Sequence, residues 1–208
     1  LDTIEEYVSR GYLKAFDTLA DCTAFLGAPP ILSKFACLTK DKFDPASGTW
    51  RTKRRVILDS KESDVKRASS REHRSVLPRV IDAVHDPLSS MDDLSDDESV
   101  ELVVLDATDA FWELPLHPDE RRYYTGYVEG RFLVYLRTAQ GSRGAPLSWA
   151  AVFGLICRLV QSIFYCSGSA RRIPFDVLFN VYVDDPLLIL RGGDRVRNRL
   201  AAIVVLAW

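Results

Sequence analysis

Two apolar runs in this chain end in carboxylates. Residues 102–106, Leu-Val-Val-Leu-Asp, finish on Asp106, and Asp109 follows three residues later. Residues 179–190, FNVYVDDPLLIL, hold Asp184 and Asp185 between two strand-like halves. The second run by itself reads as a solvated hairpin, because Asp forms turns readily and Pro186 punctuates. The first run asks for more. If the two strands are neighbours in one sheet, Asp106 and Asp184 lie side by side although far apart in sequence. Crowded carboxylates repel unless cations neutralise them. Oxygen-only ligands suit Mg2+, with Mn2+ in its place, and two such ions about 3.5–4 Å apart stabilise in-line attack on phosphorus. Unrelated strand-end aspartates are the competing reading, which neither run excludes alone.

Charge is segregated along the chain. The 208 residues carry a formal net charge of only -2, so a polyanion partner would have to be held by local patches. Residues 51–79 supply one: ten Lys and Arg against four Asp and Glu. Residues 86–101 are the opposite, with seven acids and no Lys or Arg, and read as a solvated, mobile connector. The four cysteines are far apart with no C-x-x-C, which argues against zinc and against a disulfide framework. No His pair has ligand spacing. No apolar run reaches the ~20 residues of a membrane span, and no signal-peptide pattern opens the chain. The expected setting is intracellular, cytoplasmic or nuclear, with no membrane and no secretion. The chain stops inside the apolar stretch AAIVVLAW, as expected for a piece of a longer polypeptide.

Patterning predicts an α+β protein. Ile4, Val8, Tyr12, Phe16 and Leu19 are near helical spacing, predicting one amphipathic helix over residues 1–27. Residues 31–60 read as two strands around a turn at Pro45 to Gly48. Pro78 suits the first turn of a helix through RVIDAV. Residues 100–105 read as a buried strand, 123–139 as a hairpin turning at Gly130, and 147–164 as a helix. A last helix follows Gly192-Gly193, with Asp194 as N-cap.

Three motifs in order, LDATDAFWELPLHP, RTAQGSRGAPLSWA and VYVDD, resemble motifs A, B and C of the reverse transcriptases of retroelements and retroviruses. KDKFDPASGTWRTKRRVILDSKES is similar to their basic fingers hairpin. The resemblance spans roughly residues 34 to 205. It implies a right-hand polymerase fold, with a fingers-like part over 31–101 and 118–146 and the acidic connector at 86–101. The palm would cover 102–117 and 147–208, an antiparallel sheet with helices packed on one face, truncated before the thumb. Residues 1–30 would be an N-terminal helix.

The same resemblance implies the roles. Asp106, Asp184 and Asp185 would be the catalytic carboxylates and, with the Ala107 carbonyl, hold two Mg2+ ions. Phe111 would be the ring beneath the incoming sugar that leaves no room for a 2′-hydroxyl. Gln140 would lie near the sugar 3′-hydroxyl. Gly141, Gly144 and Pro146 would shape a loop against template and nucleotide, and Tyr182 would sit near the primer end. Arg55 would contact the triphosphate, with Lys53, Lys40 and Lys61 as helpers. The partners would be an RNA or DNA template-primer and dNTPs, with a thumb and RNase H expected elsewhere in a larger polyprotein. Pro186 directly after the acid pair departs from the pattern and predicts a late start for the second hairpin strand.

A viral-type RNA-dependent RNA polymerase is the nearest enzymatic rival, but it typically has Gly before the acid pair and a second Asp near the position of Phe111. The non-enzymatic alternative is an inactive or domesticated fragment that binds nucleic acid without catalysis.

Overall fold

The structure, a computed structural model, describes residues 2–69, 73, 76–139, 141–167, 169 and 173–207, leaving aside the side chain of Lys53. The chain is mixed α+β and divides into two compact units: residues 1–73 with 111–145, and residues 74–110 with 146–208. Residues 74–101, placed with a fingers-like part by the sequence, fall in the second unit.

The first unit is built on a five-stranded sheet of order β1-β6-β5-β2-β3. Its strands are β1 (Leu13–Phe16), β2 (Leu32–Asp44), β3 (Thr49–Asp59), β5 (Thr125–Val128) and β6 (Arg131–Tyr135). All neighbours are antiparallel except β2 and β5, which run parallel through Leu32 and Ser33 only. Beyond Ser33, β2 has β3 as its partner, so the two continue as a long two-stranded ribbon. Its turn is set by Asp44, whose carboxylate accepts from the Ala46 N–H and the Ser47 hydroxyl, and by Gly48 at φ 64. Those bonds hold the Asp44 carboxyl below the usual carboxylate range. The core gathers Ile4, Tyr7, Leu13, Val56, Leu58 and Leu133 around Trp112, whose indole stacks on Tyr12 and Tyr135.

The single N-terminal helix expected over residues 1–27 is instead a helix, a strand and a second helix: α1 (Asp2–Ser9), β1 and α2 (Leu19–Leu26). The helical spacing is interrupted at Gly11, which takes φ 70 and lets Tyr12 N–H bond back to Tyr7 O. Leu13 then pairs with Tyr135 at the sheet edge. Thr18 caps α2 through Asp21 N–H.

The second unit holds a three-stranded antiparallel sheet of order β4-β8-β7, from β4 (Ser99–Val104), β7 (Val177–Tyr182) and β8 (Asp185–Gly192). On one face Val103, Phe179, Leu188 and Leu190 pack with Val160 of α5 (Ala145–Ser162) and Val204 of α6 (Asp194–Ala207). The other face meets α4 (Val80–Ser90): Asn180 Nδ2 donates to Asp86 at 3.0 Å, and Arg191 donates to Ser90 O. Helices therefore lie on both faces of this sheet, and not on one. The α4 helix begins two residues after Pro78, where Arg79 N–H bonds the Asp82 carboxylate at 2.8 Å. Strand β4 is not buried but an edge strand, with Leu102 and Val104 more than half exposed.

The acidic stretch is also held more firmly than its composition suggests. Its first part is the end of α4, and residues 91–98 wrap the buried guanidinium of Arg191. That group donates to the carbonyls of Ser90, Asp92 and Asp93 and to the Glu98 carboxylate. Bonds from Ser95 N–H and from Arg191 hold the Glu98 carboxyl below the usual range.

By length and composition alone, α5 is long and apolar enough to cross a membrane. Its Trp149, Phe153, Cys157 and Val160 form a buried stripe along one side.

Candidate active site

The β4–β8 ladder pairs Val104 with Leu187, and its hydrogen bonds continue past the end of β4. Leu105 N–H bonds to Pro186 O and Ala107 N–H to Asp184 O, each at 3.0 Å. That register sets Asp106 directly opposite Asp185, between two hydrogen-bonded pairs. Such a non-hydrogen-bonded position brings facing side chains closest, with Cβ atoms about 5 Å apart. On its other side Asp185 pairs with Tyr182 of β7. Tyr182, Asp185 and Asp106 thus form one row across the three strands, on the face away from Leu188 and Leu190, and all three are exposed.

Asp184 occupies a different place. It is half-buried in the two-residue turn between β7 and β8, which is why Asp185, and not Asp184, faces Asp106. Its turn partner Val183 has φ 60. A β-branched residue rarely adopts that conformation, and turns with a positive φ at the first central position favour Gly there. The strain is held by a specific contact: the indole Nε1 of buried Trp149 donates to Val183 O at 2.8 Å. Trp149 itself stacks on Phe153 one helical turn later.

Pro186 does not delay the strand, since β8 begins at Asp185 and Pro186 pairs with Val181. Its missing N–H falls on the β4 side, where the β4 ladder is ending, so the loss is confined to an edge.

The donor set is oxygen-only, which fits a hard dication. Asp106 and Asp185 supply a facing pair and Asp184 a third carboxylate at the adjoining turn. Among the described residues, no group of three or more His, Cys, Asp or Glu closes into a metal-holding cluster. The Ala107 carbonyl, the further oxygen expected from the sequence, accepts a long bond from Ala110 N–H at 3.4 Å. A hollow of about 660 Å³ lies along α5 and β7; Val183 lines it, but none of the three carboxylates does.

The remaining site residues are distributed as follows. Phe111 belongs to the first unit and is half-buried in a 3-10 turn spanning Ala110–Glu113. Arg55 is exposed on β3, opposite Leu38, and Lys40 is opposite Lys53 in the same ribbon. Lys61 is exposed just past β3. Gly141 takes φ 93, a backbone requirement, whereas Gly144 has open space where a Cβ would stand and no positive φ. Pro146 is the second residue of α5, a position that tolerates its missing donor. Gln140 lies outside the described residues, as does the side chain of Lys53.

No known protein-family model matches the chain, and no curated protein matches it.

Trp149 and Val183 carry structure at the site that the motifs did not single out, and Arg191 does so at the far end of β8. Arg191 had a signal: a lone cation ending the apolar run LLIL asks for buried acceptors.

Proposed function

We propose that this chain is the fingers and palm portion of an RNA-directed DNA polymerase, transferring nucleotides from dNTPs to a primer 3′-hydroxyl on an RNA or DNA template. The observation that carries this reading is the pairing of Asp106 with Asp185 at the ends of neighbouring antiparallel strands. The acids of this row come from two of the three motifs, which supports the reading. Asp106, Asp184 and Asp185, with the Ala107 carbonyl, would hold two Mg2+ ions, which supply charge neutralisation at the reacting phosphate when bound.

The chain's own residues have separate tasks. The acid row presents an anionic edge to which a dication is attracted, and Trp149 fixes the backbone of the turn carrying Asp184. Tyr182 offers an exposed ring and hydroxyl beside Asp185, toward a primer end. The guanidinium of Arg55 would neutralise triphosphate charge, with Lys53, Lys40 and Lys61 along the same basic stretch. Phe111 would set sugar choice by volume. Gln140, Gly141, Gly144 and Pro146 would shape the loop facing nucleotide and template. The thumb and RNase H of such enzymes would belong to the rest of a larger polyprotein.

A second reading, an inactive or domesticated nucleic-acid-binding fragment, is favoured by one observation: the three carboxylates do not close into a single cluster. Mn2+ binding separates the two. Under the catalytic reading, titration of the chain followed by electron paramagnetic resonance shows bound Mn2+ that is lost in both Asp106→Asn and Asp184→Asn. Equal Mn2+ binding by wild type and both variants would leave the fragment reading.

A further inference from the structure

The β2–β3 ribbon carries a feature that the catalytic reading does not use. At its tip Phe43 and Trp50 are cross-strand partners with ring centroids 5.4 Å apart at 59°. Trp50 is 71% exposed and Phe43 44%, although a large aromatic pair on a surface turn loses favourable burial by staying in water. Cations line the same ribbon, Arg54 on the face of the rings and the others on the opposite face. Lys42 and Arg51 face each other one position from the rings, and Lys40, Arg54 and Arg55 follow along the strands, all exposed. Directly opposed like charges destabilise a ribbon. Arg51 is balanced by Asp44 at 3.3 Å. Among the described residues, Lys40, Lys42, Arg54 and Arg55 have no ion-pair partner. The one other acid in the distal ribbon, Asp41, accepts from the Thr52 hydroxyl.

We infer that the ribbon tip is a stacking platform for unpaired nucleotides of a single-stranded nucleic acid. The chemistry selects this occupant. Exposed cations on both faces of a narrow arm, most of them without an ion-pair partner, call for a polyanion that can follow it, and exposed rings at its end call for flat apolar groups. A single strand offers both, phosphates along its backbone and bases free to stack. A duplex offers the phosphates but keeps its bases paired. An acidic protein segment offers charge without stacking partners, and a membrane surface would take the rings without discriminating single strands from duplexes. The inference stands on the ribbon alone and needs no catalytic activity.

The test uses this chain with a short fluorescein-labelled oligothymidylate, and separately with a labelled duplex, followed by fluorescence anisotropy across a salt series. Phe43→Ala with Trp50→Ala is expected to weaken oligothymidylate binding about 5- to 100-fold per stacked base. The slope of log affinity on log salt stays unchanged, because no phosphate contact is lost. Trp50→Phe keeps a ring and restores most of the affinity, which separates stacking from unfolding. Lys42→Ala instead reduces the salt slope by about 0.7. Wild-type affinity in the double alanine variant would overturn the inference, and so would an equal loss on the duplex. Loss confined to anionic phospholipid vesicles, with oligothymidylate binding intact, would also overturn it and make the tip a membrane contact. A complete open reading frame whose product binds single strands this way and polymerises nothing would refute the catalytic reading alone.

Discussion

The indole of Trp149 holds the carbonyl of Val183 at 2.8 Å, and Val183 is the left-handed residue of the turn that carries Asp184. A buried donor thus fixes a peptide whose conformation its own side chain disfavours. Trp149→Phe keeps the ring against Phe153 and removes the N–H. The expected loss of stability is about 1–2 kcal/mol, for one hydrogen bond and a carbonyl left without its partner. In an active enzyme the turnover number falls about tenfold or more with KM little changed, since misplacing a reacting group costs rate more than binding. Steady-state kinetics on both proteins checks the split. A variant that melts lower yet turns over normally would make the contact structural only.

The acidic loop around Arg191 predicts acid sensitivity. The Glu98 carboxyl is held below its ordinary value, first by Ser95 N–H and then by Arg191. A depressed folded value means the contribution is fully present above the ordinary Glu range and is lost as pH falls through and below it. Glu98→Gln should therefore lower the melting temperature at neutral pH and narrow its gap to wild type on acidification. A gap that stays constant between neutral and strongly acidic pH would contradict the assignment.

Phe111→Val should admit ribonucleotides while deoxynucleotide use falls modestly. Exclusion by volume needs no hydrogen bond, so removing the ring is enough to relax it. Primer extension with each nucleotide set checks this. Ribonucleotide use unchanged in a variant that merely melts earlier would make Phe111 a packing residue.

Much of this architecture was legible because its signals are local. The β2–β3 hairpin, the turn at Gly130, α5 and the acid-tipped strands all follow period-two or helical patterning with turn residues between. The failures share a different cause, which is tertiary context. Ile4 to Leu19 keep helical spacing through Gly11, yet Leu13 finds a sheet edge in β6 that no local pattern reveals. The run at Leu102–Leu105 is apolar enough for a central strand, yet it lies at an edge because its other neighbour position is empty among the described strands. The acids after α4 look solvated until Arg191, about a hundred residues later, gathers their carbonyls. At the site, the two strands and their adjacency were readable, but the register was not. That Asp185, and not Asp184, faces Asp106 depends on a two-residue turn whose length composition does not fix.

The central claim is that the acid row of Asp106 and Asp185, with Asp184 beside it, performs template-directed DNA synthesis. Primer extension on an RNA template with Mg2+ and dNTPs, by this chain within its complete open reading frame, tests it most directly. The account predicts extension by wild type and none by Asp106→Asn or Asp184→Asn, because a neutral amide holds Mg2+ poorly. No extension by wild type, or extension that survives both substitutions, would contradict it.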